Sequence, residues 1–179
     1  MKFQLILVAL LISFSTVAQK LVKAKLDDNI IVKVPNNFIP MTDEDKAQRY
    51  ESSRLPIALY SDEDRLVDFG VNRSFSIWQE SDLDLMLEFY EASIIELYDK
   101  VEFDKMGIEE VNGRQFVVFE FESVVYPEND FQRNIAKYTY LMYTLNKGTT
   151  YLFNFTCEKS VKNLWQGTAR EMMSSIKIK

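Results

Sequence analysis

One stretch constrains this chain more than any other: Ala136 to Cys157, AKYTYLMYTLNKGTTYLFNFTC. It reads as two long strands joined by a tight turn at Asn146-Lys147-Gly148. Its mix of Tyr, Phe, Leu and Thr is the one a pleated, half-buried surface favours. Glycine at the turn supplies the positive backbone dihedral that a short hairpin loop needs. Side chains alternate along a strand, so Tyr151, Phe153 and Phe155 point one way and Thr150, Leu152 and Asn154 the other. On the preceding strand Tyr138, Tyr140 and Met142 share one side, and Leu141, Tyr143 and Leu145 the opposite one. Apolar bulk on both faces predicts a sheet covered, at least in part, on both sides.

The flanking segments supply the cover. Asn112-Gly113 marks a second hairpin between Ile108–Val111 and Arg114–Val125, because both residues tolerate left-handed dihedrals. Val117, Phe119 and Phe121 line one face of its outgoing strand, and Phe116 and Val118 the other. Glu109, Glu110, Glu120 and Glu122 read as exposed strand edges. Upstream, Asn29–Val34 alternates as a first strand, stopped by Pro35-Asn36-Asn37, with Phe38 turning back to the core. Thr42 caps a weak helix reaching about Glu51. Leu55–Tyr60 and Leu66–Ser74 are strands around the polar turn from Ser61 to Asp64, with Ser76–Gln79 prolonging the second.

Two amphipathic helices carry the clearest periodicity. Ser81–Lys100 places Leu83, Met86, Leu87, Tyr90, Ile94, Leu97 and Tyr98 on one stripe, with Ser81 and Asp84 spaced as a capping box. Ser160–Ser175 does the same with Val161, Leu164, Trp165, Thr168, Met172 and Ile176. Gly167 interrupts it, which predicts close packing against the sheet, and Ile176 with Ile178 closes the chain as an edge segment. The class is α+β, an antiparallel β-sheet with helices packed on its faces.

Residues 1–18 have the form of a signal peptide. Lys2 precedes the apolar run Leu5–Ile12, and Thr16-Val17-Ala18 offers small residues for cleavage after Ala18. The run is too short to span a bilayer, and no cysteine lies there to carry a lipid. The expectation is a periplasmic or secreted protein, with residues 19–179 as one domain and no membrane span in the mature chain. A formal charge of -6, without a basic cluster in the sequence, argues against nucleic acid and anionic membrane surfaces as partners.

Three features together resemble the PsbP/DcrB-like superfamily, which also includes a eukaryotic Ran-binding protein. They are IIVKVPNNF at Ile30–Phe38, LVDFGVNRS at Leu66–Ser74, and the paired hairpins with a closing amphipathic helix and terminal IKI. The resemblance covers most of Asn29–Lys179. It implies an α-β-α sandwich and a non-catalytic role as an assembly or binding module for another envelope or secreted protein. The metal-related roles of photosynthetic members rest on histidine and carboxylate sites, and this chain has no histidine.

That lack also removes the usual general base near neutral pH, every Ser-His-Asp or Cys-His arrangement and the commonest zinc ligand. No Gly-rich phosphate loop is present. The expectation is no enzyme, no cofactor and no metal. Asp62, Glu63 and Asp64 have the oxygen chemistry of a hard-cation site, but not the spacing of a calcium loop. Cys157, the one cysteine, falls on the Tyr151, Phe153, Phe155 face and reads as a buried apolar thiol. Of 24 aromatic residues most sit at core-facing periods; Trp78, Tyr126 and Phe131 do not, and are candidates for partner binding. An alternative role is a carrier of a small apolar ligand held between sheet and helix.

Overall fold

Strand β1 (Leu21–Lys25) is followed by β2 (Ile30–Pro35), β3 (Ile39–Pro40), helix α1 (Asp43–Arg49), β4 (Ala58–Ser61) and β5 (Val67–Phe75). Then come α2 (Leu83–Leu97), β6 (Lys100–Val111), β7 (Arg114–Val125), β8 (Ile135–Asn146) and β9 (Thr149–Glu158). Helix α3 (Lys162–Ser174) and β10 (Lys177–Ile178) close the chain. This computed structural model describes residues 19–49, 55–128 and 133–179. The expected signal peptide, the end of the first helix and Phe131 lie outside them.

The long strands form an antiparallel seven-stranded sheet in the order β3-β4-β5-β9-β8-β7-β6. Tyr138, Tyr140 and Met142 stand opposite Cys157, Phe155 and Phe153, so the two apolar sets share one face. With Phe69, Val71, Phe116 and Val118 they pack against Trp165, Ala169, Met172 and Met173 of α3 and against Ile30, Val32 and Val34 of β2. The opposite face carries Val117, Phe119, Phe121, Leu141, Tyr143 and Leu145, covered by Leu83, Met86 and Ile94 of α2. The result is an α-β-α sandwich with a second, three-stranded sheet, β1-β2-β10, beside α3.

Both hairpin turns take the expected form. Asn112 and Lys147 have φ of 51° and 50°, and each precedes a glycine with positive φ. Thr42 caps α1 as expected: its Oγ1 accepts the Asp45 N–H at 3.2 Å while Asp45 accepts the Thr42 N–H at 3.3 Å.

Several expectations are corrected. The strand after α1 begins at Ala58, and Ser76–Gln79 is a turn in which Ser76 Oγ accepts the Trp78 N–H at 3.0 Å. A short 3-10 turn (Glu80–Asp82) precedes α2, and Asp82, not Asp84, accepts the backbone N–H of Gln79 at 2.8 Å. Helix α2 ends at Leu97, and Lys100 opens a 12-residue strand instead of closing the helix. Leu97 and Leu164 are exposed, outside their stripes. Outside its own helical turn no atom lies within 4 Å of where a Gly167 Cβ would stand, so close packing does not account for that glycine. Strand β1 adds an element not read from the sequence.

Candidate functional site

The most concentrated polar chemistry lies under α3. Phe116, Val118, Glu120 and Glu122 alternate onto the α3 face of β7, which sets two carboxylates in line with a core. Glu120 is 0% exposed. This corrects its expected place at a strand edge. Its Oε1 accepts Tyr138 O–H at 2.9 Å and Gln166 N–H at 2.7 Å, and the Arg170 guanidinium forks onto both oxygens at 3.1 and 3.0 Å. One turn away, Lys162 Nζ reaches Asp104 at 2.5 Å and Glu122 at 2.7 Å, and sits 5.5 Å above the Tyr138 ring. Lys159 also pairs with Glu122. Asp104 is available because the β6–β7 register shifts between Phe103 and Lys105.

Burial pushes the Glu120 carboxyl upward, but hydrogen bonds from Arg170, Gln166 and Tyr138 outweigh it and hold the group below its ordinary value. Salt-bridging hydrogen bonds from Lys159 and Lys162 lower Glu122 in the same sense. Burial, reinforced by the Glu120 charge, raises the Tyr138 phenol, which stays protonated. A buried, ionised and saturated carboxylate beside a neutral phenol offers no base, acid or nucleophile that a substrate can reach. Its chemistry is that of a clamp holding α3 on the sheet.

The other sequence candidates disperse. Asp62 Oδ1 accepts the N–H groups of Leu66 and Val67 at 2.8 and 3.1 Å, so it closes the turn. Among the described residues no group of three metal-ligating side chains assembles. Cys157 is buried, and burial pushes its thiol up to about 12, which keeps it an apolar filler. Trp78 packs on the α2 side of the core, 5.6 Å from the Phe89 ring, and its indole hydrogen-bonds Tyr90. Tyr126 lies at the other end of α2, its N–H donating to Asp99 at 2.7 Å. A 15-residue helix separates these two aromatics by roughly 20 Å, so they do not form one patch.

Trp78 also borders an exposed apolar surface on the outer side of α2. Around it Ile77, Leu85 and Phe89 are 87%, 59% and 54% exposed, and Phe75 is exposed nearby. Between Gln79 and Asp99 the chain carries Glu80, Asp82, Asp84, Glu88, Glu91, Glu96 and Asp99 and no cation. The signal was in the sequence: Leu85 and Phe89, four residues apart, lie off the core stripe of α2.

Apolar side chains occupy both sheet–helix interfaces. Tyr98 meets Phe121 at 5.9 Å under α2, and Phe155 meets Trp165 at 6.1 Å under α3. A depression of about 520 Å³ lined by Leu55, Arg73, Ser74, Phe75, Thr149 and Tyr151 opens at the sheet end, with no residue of α2 or α3 in its lining.

No protein-family profile matches the chain, and no characterised protein matches it by sequence. Solved structures do. The solution structure of cyanobacterial PsbP (CyanoP) from Synechocystis sp. PCC 6803 aligns at a TM-score of 0.59 and 15% identity, over 91% of this chain and 94% of that one. This chain has a PsbP-like fold. LpqN, involved in cell envelope biogenesis of Mycobacterium tuberculosis, aligns at 0.55 and 10% identity, over 89% and 90% of the two chains. At such identities the likeness establishes architecture, not activity. No helix among the described residues is long and apolar enough to cross a membrane.

Proposed function

We propose that this protein is a non-enzymatic interaction module of the cell envelope, exported by a leader of residues 1–18 cleaved after Ala18. The remaining residues, 19–179, act as one domain. The exposed face of α2 is its contact surface. The observation that carries this reading is the exposed apolar cluster Ile77, Leu85 and Phe89 on a segment, Gln79–Asp99, that carries seven carboxylates and no cation along its length. Apolar anchors inside a charged rim are the anatomy of a protein–protein contact. The occupant that fits is an envelope protein presenting an apolar recess rimmed by Lys or Arg. A second copy docked through this same face would set carboxylate against carboxylate. LpqN, with the same architecture, belongs to envelope biogenesis, which agrees with this assignment. The ligand-carrier alternative is less favoured, because both sheet–helix interfaces are occupied by side chains.

A photo-crosslinking residue in place of Leu85 tests the reading in the native host. The expected result is one discrete adduct with an envelope protein, lost in a Phe89→Glu variant and weakened by salt. No adduct at good expression, or one that persists in Phe89→Glu, would overturn it. So would a saturable hydrolytic activity abolished by replacing a carboxylate.

A further inference from the structure

The sequence shows no basic cluster, yet the fold builds one. In β2, Ile30, Val32 and Val34 are buried against the core, so Ile31 and Lys33 face the other way. Lys23 lies opposite Lys33, Lys25 opposite Ile31, and Lys177 opposite Ile31 from the other side. Lys179 follows two residues later on the same face, its N–H donating to the Asn29 carbonyl at 3.0 Å. Five lysines from the two ends of the chain therefore converge on the outer, uncovered face of the three-stranded sheet, all of them exposed. With strands about 4.8 Å apart and alternate residues about 7 Å apart, they occupy one patch.

Of these five lysines Lys25 forms an ion pair, with Asp28 at 2.7 Å; that carboxylate, almost fully exposed, also feels the Lys179 charge, and Asp27 acts on Lys25, while Lys23, Lys33 and Lys177 have no ion pair among the described residues. The patch and α2 lie on opposite sides of the seven-stranded sheet, so the acidic surface is turned away from anything the lysines touch. We propose that this lysine face docks the protein on the anionic headgroups of a lipid bilayer.

Lysines on edge strands deter pairing with other sheets, which accounts for those of β1 and β10. Lys33 lies beyond the two-residue β10, but its N–H is already taken by the Ser175 hydroxyl at 2.8 Å, so no such need exists there. Placing Lys23 directly opposite it sets like charges across a strand pair, an arrangement that opposes folding. A counter-charged surface relieves that repulsion. The face is a sheet surface of point charges, without an arginine fork or an exposed stacking ring, which suits headgroup phosphates better than nucleic acid. Binding of this kind is peripheral, reversible and salt-sensitive.

Co-flotation of the purified protein with vesicles tests it. The protein should float with phosphatidylcholine vesicles containing phosphatidylglycerol and not with phosphatidylcholine alone, and high salt should release it. Each surface lysine near such a membrane is worth about fivefold in partitioning. The triple variant Lys23→Gln, Lys33→Gln, Lys177→Gln should therefore bind on the order of 100-fold more weakly. Removing Lys100, Lys105 and Lys137 instead changes net charge equally and should cost no more than a few fold. Equal loss in the two triples, binding to neutral vesicles, no binding to anionic ones at low salt, or full competition by inorganic phosphate would each overturn the proposal. Phe89→Glu should leave flotation unchanged, so this inference and the α2 reading fail separately.

Discussion

Arg170→Met is the sharpest probe of the clamp under α3. The substitution keeps the aliphatic stem and deletes the guanidinium that forks onto Glu120 at 3.0 and 3.1 Å. Breaking a fully buried ion pair destabilises by about 3–5 kcal/mol, because the remaining charge loses its partner. Here the loss is smaller. The Arg170 side chain is 52% exposed, so solvent screens part of the pair, and Glu120 keeps its bonds to Tyr138 and Gln166. The expected loss at pH 7 is about 2–3 kcal/mol, or roughly 5–10 °C in Tm for a chain this size.

The pH dependence separates this from simple loss of packing. In the natural protein the Glu120 carboxyl is held below its ordinary value of 4.5, so its contribution is present above that pH and is lost as pH falls through the lower folded value. In the variant, burial acts with one fewer opposing charge and lifts the folded value. Stability then declines as pH rises past the unfolded value. The difference between the two proteins should therefore be largest at pH 7 and shrink toward pH 4. Adding Glu120→Gln to the variant should recover more than half of the loss. Urea titrations at both pH values give the numbers. A loss below about 1 kcal/mol at pH 7, or one of equal size at pH 4, would refute the argument.

Two further expectations are simpler. Gly167→Ala should stabilise the protein by about 1 kcal/mol, raising Tm by about 2–4 °C, since the site is exposed, helical and open to a Cβ; an unchanged or lower Tm would show an unseen constraint there. Cys157, buried and with its thiol pushed up to about 12, should resist iodoacetamide at pH 8 and react fully in urea. Stoichiometric labelling without denaturant would contradict its role as a core filler.

The hairpins were legible because their signals are local. Asn112-Gly113 and Lys147-Gly148 fix the turns, and the period of two then assigns Tyr138 to Met142 and Tyr151 to Phe155 to one face. Strand β6 was not legible over its first half. The bulge at Asp104 shifts the register between Phe103 and Lys105, which breaks the alternation that would have marked it. Tyr98, which packs on the α2 core from just past the helix end, carried the helical stripe too far. Glu120 was misplaced because a charge on a strand is usually solvated. Its partners were visible: Lys159, just before α3, and Lys162, Gln166 and Arg170 along one side of it recur every three or four residues, matching Glu120 and Glu122 two apart on β7. The lysine face was not legible at all, because its members come from residues 23–33 and 177–179 and meet only through β-sheet register.

The two helices that cover the sheet treat charge in opposite ways, and the contrast bears on function. On α3 Lys162 and Arg170, with Lys159 just before the helix, are matched by sheet carboxylates, so those charges serve the fold. Helix α2 has no such economy. Asp84 and Glu88 stand four residues apart, and Glu88 and Glu91 three apart, spacings at which like charges destabilise a helix by about 0.2–0.5 kcal/mol each. Its last turn carries Glu96 and no cation, against the helix dipole. A helix needed only to cover Val117, Phe119 and Phe121 would gain from Lys at Glu88, Glu91 or Glu96. It would also gain from polar residues where Leu85 and Phe89 stand in solvent. Both departures disfavour the free helix, and both are relieved by one event: contact with a surface that is apolar at its centre and cationic at its rim.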